Sequence, residues 1–147
     1  MKLGFLSPAL LACFLASGAA AQRTLAPSEC PQPRFTGKAP DEIYERKNPL
    51  PPAPDLKAAE RIYRGDGGQI ACASCHGARG DGRGPMSGMF DPRPRNFACA
   101  QTVNGIPDGQ LFWVIRFGSP GTSMPPHPKL SDEQLWQLIL LLRRFAN

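Results

Sequence analysis

The chain has 147 residues, with 17 Lys and Arg against 12 Asp and Glu, five cysteines and 17 prolines. A formal charge of +5 spread without any basic block offers no surface that tracks phosphates, which argues against a dedicated nucleic-acid binder. The length suits one compact domain.

Met1-Lys2 is followed by an uncharged, mostly apolar run from Leu3 to Ala21, closing on Ala19-Ala20-Ala21 before Gln22. This is the pattern of a secretory signal peptide, residues 1–21, cleaved after Ala21. Two other readings stand beside it: an uncleaved anchor, since the run is just long enough to span a bilayer, and a lipoprotein at Cys13, which leaves too short an apolar segment upstream. Contact with a membrane is expected only if the leader stays attached. Lys2 is the leader's one charged residue, so its loss leaves +4. An excess of this size fits a face that steers an acidic partner, although a solvated surface is the commoner reason for it.

Residues 22–54 carry eight prolines, among them Pro27, Pro31, Pro33, Pro40 and the run Pro49-Leu50-Pro51-Pro52-Ala53-Pro54. Such a segment is expected to be extended rather than helical. Phe35, Ile43, Tyr44 and Leu50 offer apolar anchors and Cys30 a covalent one, which favours a strap along the domain over a loose docking arm. Asp55 then opens a short helix from Leu56 to about Arg64, stopped by Gly65, with Leu56, Ala59, Ile62 and Tyr63 on its buried face.

Cys72-Ala73-Ser74-Cys75-His76 is the most informative stretch. In an exported chain, C-x-x-C-H marks covalent attachment of a c-type haem. Two thiols three positions apart each form a thioether with one haem vinyl group, and the next imidazole lies under the iron as an axial ligand. Redox dithiols and zinc sites share the bare C-x-x-C; the adjoining His, with no second Cys pair at zinc spacing, separates this case from them. Residues 77–95, rich in glycine and with Pro85, Pro92 and Pro94, have no helix or strand period. They read as a loop around a flat ligand, glycine allowing close approach and positive φ.

Pro107 and Gly118 bracket a helix over 108–117, with Leu111, Phe112 and Ile115 as core and Trp113 as a possible donor to a haem propionate. Ser131 and Gln134 form a capping box for a last helix, whose apolar stripe is Leu135, Leu138, Ile139, Leu142 and Phe145, widened by Trp136 and Leu140. Arg143 and Arg144 suit its C-terminal end. With Cys13 in the leader and Cys72 and Cys75 on haem, Cys30 and Cys99 remain as an even pair, and a Cys30–Cys99 disulfide is expected in an oxidising compartment. The alternatives are two separate thiols or a bond between chains.

An electron carrier saturates its iron on both faces. Met86, Met89, Met124 and His127 are the candidates for the second ligand. Met86 and Met89 follow His76 too closely to clear the ring edge. Met124, 48 residues on, sits between Gly121 and Pro125-Pro126, on a stiff loop directly before the capped helix. His127 is its chief rival.

At these residues the chain resembles the class I c-type cytochromes, the bacterial monohaem members in particular. The resemblance rests on Cys72-x-x-Cys75-His76-Gly77, Gly84-Pro85, Asp91-Pro92-Arg93-Pro94-Arg95-Asn96-Phe97, Gly121-Thr122-Ser123-Met124-Pro125-Pro126 and Leu130-Ser131-Asp132-Glu133. It implies an all-α cytochrome c fold over residues 55–147 around one covalent haem c, its first and last helices crossing. It also implies His76 as proximal and Met124 as distal ligand, and the Pro85 carbonyl accepting a hydrogen bond from His76 Nδ1. An apolar shell from Leu111, Ile115, Leu135 and Ile139 then favours ferrous iron. The expectation is a periplasmic carrier of single electrons between a redox donor and acceptor protein, not itself an enzyme. The alternatives are a haem subunit of a periplasmic oxidoreductase, with residues 22–54 as interface, or a ligand-binding haem sensor.

Overall fold

The computed structural model of the protein describes residues 30–32, 36–51, 56–66 and 68–147. The leader, Pro27, Pro33, Phe35 and the Asp55 cap lie outside them. Among the described residues all regular structure is helical and there is no strand. The α-helices are α1 (Asp41–Tyr44), α2 (Leu56–Tyr63), α3 (Cys72–His76), α4 (Ala100–Val103), α5 (Asp108–Phe117) and α6 (Asp132–Phe145), with a 3-10 turn at Ser87–Met89 between α3 and α4. No described helix is long and apolar enough to cross a membrane.

α6 begins where its cap predicts. The Gln134 amide donates to Ser131 Oγ at 3.2 Å, and the Ser131 amide donates to Gln134 Oε1 at 2.8 Å. Both halves of the box are made, satisfying donors that a helix start leaves free. Leu135, Trp136, Leu138, Ile139, Leu141 and Leu142 are buried. Leu141 takes the place expected of Leu140, which is half-buried, because α6 is packed from two sides, by α2 and by α5. α2 supplies Ala59, Ile62 and Tyr63 to this core. α5 runs between Pro107 and Gly118 as expected and buries Leu111, Phe112 and Ile115, Phe112 lying against Trp136 at 4.5 Å between ring centroids.

The proline-rich segment lies along the domain, but it is not extended throughout. Pro40 precedes the single turn α1, and its carbonyl accepts from the amides of Ile43 and Tyr44 at 2.9 and 2.8 Å. Proline forbids a helix interior yet suits a helix start, where its missing N–H is not needed. Asn48 then reaches α6, its Nδ2 donating to the Trp136 carbonyl at 2.9 Å. At the other end the Cys30 and Cys99 sulfurs are in bonding contact, with Cα atoms 5.6 Å apart, inside the span a disulfide bridges.

Candidate haem site

α3 is too short to leave a periodic signal, and nothing in the sequence pattern marks it as helical. Its consequence is geometric: positions three and four apart share a helix face, so Cys72, Cys75 and His76 are presented together. Both thiols are unbonded and half-buried. Burial pushes the Cys72 thiol up to about 11 and raises Cys75 as well, so both are neutral near pH 7.

His76 is buried, and its ring stacks on Phe97 with centroids 4.5 Å apart. Its Nδ1 donates to the Arg95 carbonyl oxygen at 2.9 Å, where the family resemblance implied Pro85. The backbone explains the exchange. The Gly84 amide donates to Cys75 O at 3.1 Å and the Met86 amide to Ser74 O at 2.9 Å, which binds this loop along α3 and leaves Pro85 exposed. The Phe97 and Ala98 amides both donate to Gly80 O, which draws the preceding residues over the imidazole. With Nδ1 as donor, Nε2 keeps a lone pair for a metal. Buried Tyr63 Oη donates to the Gly77 carbonyl at 2.9 Å, tying α2 to the end of α3.

These groups face an apolar cleft of about 840 Å³. Cys72, Cys75 and His76 line one side, Leu111, Val114 and Ile115 of α5 and Leu142 of α6 contribute aliphatic wall, and Met124 and His127 enter from the loop before α6. Met86 and Met89 do not line it and are 37% and 75% exposed. Leu135 and Ile139 are wholly buried between helices rather than in the cleft wall, where Val114 and Leu142 stand instead. Trp113 is also away from the cleft, its ring near Phe117 at 6.2 Å.

The loop carrying Met124 is braced from within. The Met124 amide donates to Thr122 Oγ1 at 3.2 Å, Thr122 Oγ1 donates to Ser119 O at 2.8 Å, and the Ser119 amide donates to Met124 O at 3.2 Å. Gly118 starts it with φ of 81°, and a Cβ there would stand 2.9 Å from Met124 O and 3.0 Å from Pro126 N. Only glycine fits that conformation and that approach. At the far end the His127 amide donates to Ile115 O at 3.1 Å. Burial lowers the His127 pKa, because desolvation disfavours the imidazolium.

Two unbonded thiols, an imidazole oriented through Nδ1 and a thioether, converging on an apolar cleft in the size range of cofactor sites, are the donor set of a covalently attached haem. The fold and the attachment turn thus define an all-α c-type haem protein. The family model for cytochrome c matches residues 56–145; the chain belongs to the cytochrome c family, and its cofactor is haem c. Among solved structures, a chain of the Kuenenia stuttgartiensis reducing HAO-like protein complex Kustc0457/Kustc0458 is 26% identical with a TM-score of 0.56, over 67% of this chain and 47% of that one. The present chain therefore spans about half the length of that neighbour. The KustC0563 c-type cytochrome is also 26% identical, with a TM-score of 0.49, over 60% of this chain and 98% of that one. No curated protein matches.

Sequence reasoning passed over Arg95 as the partner of His76, Phe97 beneath its ring, and the part the proline-rich segment takes in the cleft. The one available hint was Gln110, an amide on the helix that carries Leu111, Phe112 and Ile115.

Proposed function

We propose that the protein carries single electrons in the periplasm, passing them between a donor and an acceptor redox protein, with no catalytic reaction of its own. Cys72 and Cys75 would hold the haem through thioethers, and His76 Nε2 and Met124 would be the protein ligands of its iron. The observation that carries this reading is the convergence of His76 and Met124 on one cleft, while Met86 and Met89 lie exposed outside it. When bound, the haem supplies a one-electron Fe(III)/Fe(II) couple.

The chain's residues do the rest. The Arg95 carbonyl and Phe97 hold the imidazole in one tautomer and orientation. The braced loop presents Met124 without needing to move, and a soft thioether favours the ferrous state. Leu111, Ile115 and Leu142 keep water from the ring and disfavour the extra charge of ferric haem. Export also accounts for the Cys30–Cys99 bond, which persists in an oxidising compartment. Closing a loop of sequence separation 69 is worth ~4 kcal/mol in the chain-entropy model.

Met124→Ala tests the assignment. The variant is expected to lose low-spin ligation, bind added imidazole and fall in reduction potential by at least the ~59 mV of a tenfold shift for one electron. An unchanged spectrum and potential would give the distal role to His127. A second reading, a haem subunit held in an oxidoreductase complex, is favoured by the neighbour from the HAO-like complex. Size measurement of the native protein separates the two: a free shuttle migrates alone.

A further inference from the structure

Residues 30–51 lie outside the family match of 56–145, yet Pro31, Gln32, Thr36, Lys38 and Tyr44 line the haem cleft. The segment is fastened on both sides of that cleft. On the side of His76, the Gln32 amide donates to Thr102 Oγ1 at 2.9 Å, Gln32 Oε1 accepts from the Asn96 amide at 2.8 Å, and Arg95 Nη2 donates to Thr36 Oγ1 at 3.2 Å. Cys30 meets Cys99 between the same two strips of chain.

On the α5 side, buried Gln110 receives the Ala39 amide on Oε1 at 2.8 Å and donates Nε2 to Gly37 O at 2.9 Å. Ala39 is 3% exposed. One helical turn later in the segment, the carbonyls of Ile43 and Tyr44 press so closely on Gly109 that a Cβ there would overlap backbone atoms. Backbone cannot yield as a flexible side chain can, so this contact fixes how near the segment stands to α5.

We propose that residues 30–32 and 36–51 are a fixed wall of the cofactor cleft, with Gly109, Gln110 and the Cys30–Cys99 pair as positioning residues that set how far water and small ligands reach the haem, and through that its potential. This rests on the assignment of the cleft to haem and concerns what encloses it. The wall bridges the cleft from residues 95–102 to α5, so loosening either end admits water along an edge that the helices leave open. Water solvates ferric haem better than ferrous, and the potential falls.

Two variants loosen the wall without altering a residue that lines the cleft: Gly109→Ala, which wedges it from α5, and Cys30→Ser with Cys99→Ser, which frees its end. Ala59→Gly, on α2, none of whose residues lines the cleft, controls for lost stability. Haem content, reduction potential and the rate of CO binding to the ferrous protein are measured in each. Both wall variants are expected to shift the redox equilibrium toward ferric by severalfold and speed CO binding at least tenfold, with the control unchanged in both. A lower melting temperature with potential and CO rate at wild-type values in the wall variants would overturn the proposal and leave the segment a clamp on the fold. Should the variants not mature, CO binding to the wild-type ferrous protein with and without a small dithiol reads the same opening: acceleration supports the wall, no change overturns it. Wild-type protein without haem would instead bring down the functional assignment.

Discussion

Tyr63 joins α2 to the attachment turn through a single buried hydrogen bond to the Gly77 carbonyl, and its ring lies 5.2 Å from that of Phe145. Burial raises its phenol pKa, so the hydroxyl stays protonated as donor throughout the ordinary pH range. Tyr63→Phe keeps the ring packing and leaves the carbonyl with the Gly80 amide alone, at 3.0 Å; the expected loss is about 1 kcal/mol in denaturant unfolding, with the haem still attached. His127 makes the opposite kind of prediction. Its folded pKa lies below the unfolded 6.5, so below that pH the unfolded chain binds the proton more readily. Stability is then lost as pH falls from about 6.5 through the depressed folded value. His127→Gln should flatten that part of the stability curve. A His127 bound to iron would not titrate there, so an unaltered curve in the variant counts for the rival ligand.

Arg143 on α6 gathers the starts and ends of its neighbours. Its Nη2 donates to Asp108 Oδ1 at 2.6 Å and its Nε to the same oxygen at 3.1 Å, while the Val103 carbonyl accepts from Nη1 and the Ile106 carbonyl from Nη2. Both charged side chains are 24% exposed. One guanidinium thus fixes the end of α4, the link to α5 and the first residue of α5 against α6. Arg143→Met should cost about 2–3 kcal/mol, since it leaves the half-buried Asp108 carboxylate without its charge partner, with only the Asn48 amide at 3.4 Å, and takes a donor from two carbonyls, measurable as a shift in the denaturation midpoint at unchanged slope. The helices with clear punctuation, α5 between Pro107 and Gly118 and α6 from Ser131, were legible in the sequence to the residue. α1, α3 and α4, of four or five residues each, were not, because so few residues span barely more than one helical period of about 3.6 and cannot show a repeat.

At the scale of the molecule, the fold is assembled around its cofactor. The cleft of about 840 Å³ is large against the 126 residues that the expected cleavage leaves, and its aliphatic lining has no protein partner on the inner side. Replacing Cys72 and Cys75 by Ala removes covalent attachment. The resulting chain is expected to keep much of its helical far-ultraviolet signal and lose the near-ultraviolet signature of fixed packing, since the inner walls forfeit contacts that only the haem supplies. Equal near-ultraviolet spectra for the variant and the holoprotein would show instead that the helices pack unaided.

The sequence by itself determined the chemistry: the attachment turn, the all-α class, the pairing of Cys30 with Cys99 as an expectation, and Met124 as the thioether to look for. The attachment turn is carried by residue type at fixed spacing; the all-α class follows from the family resemblance, the cysteine pair from elimination, and Met124 from its place between Gly121 and Pro125-Pro126, none of which needs knowledge of distant neighbours. Tertiary structure alone decided the surroundings of that chemistry. It put the Arg95 carbonyl rather than that of Pro85 on the imidazole, because backbone bonds along α3 hold the Pro85 loop aside. It chose Val114 and Leu142 over Leu135 and Ile139 for the wall, because the rotation of α6 is set by packing against two partners at once. It also brought residues 30–32 and 36–51 across the cleft. Those contacts join positions 64 to 73 apart in the chain, and no local pattern in Cys72 to His76 records what will close over it.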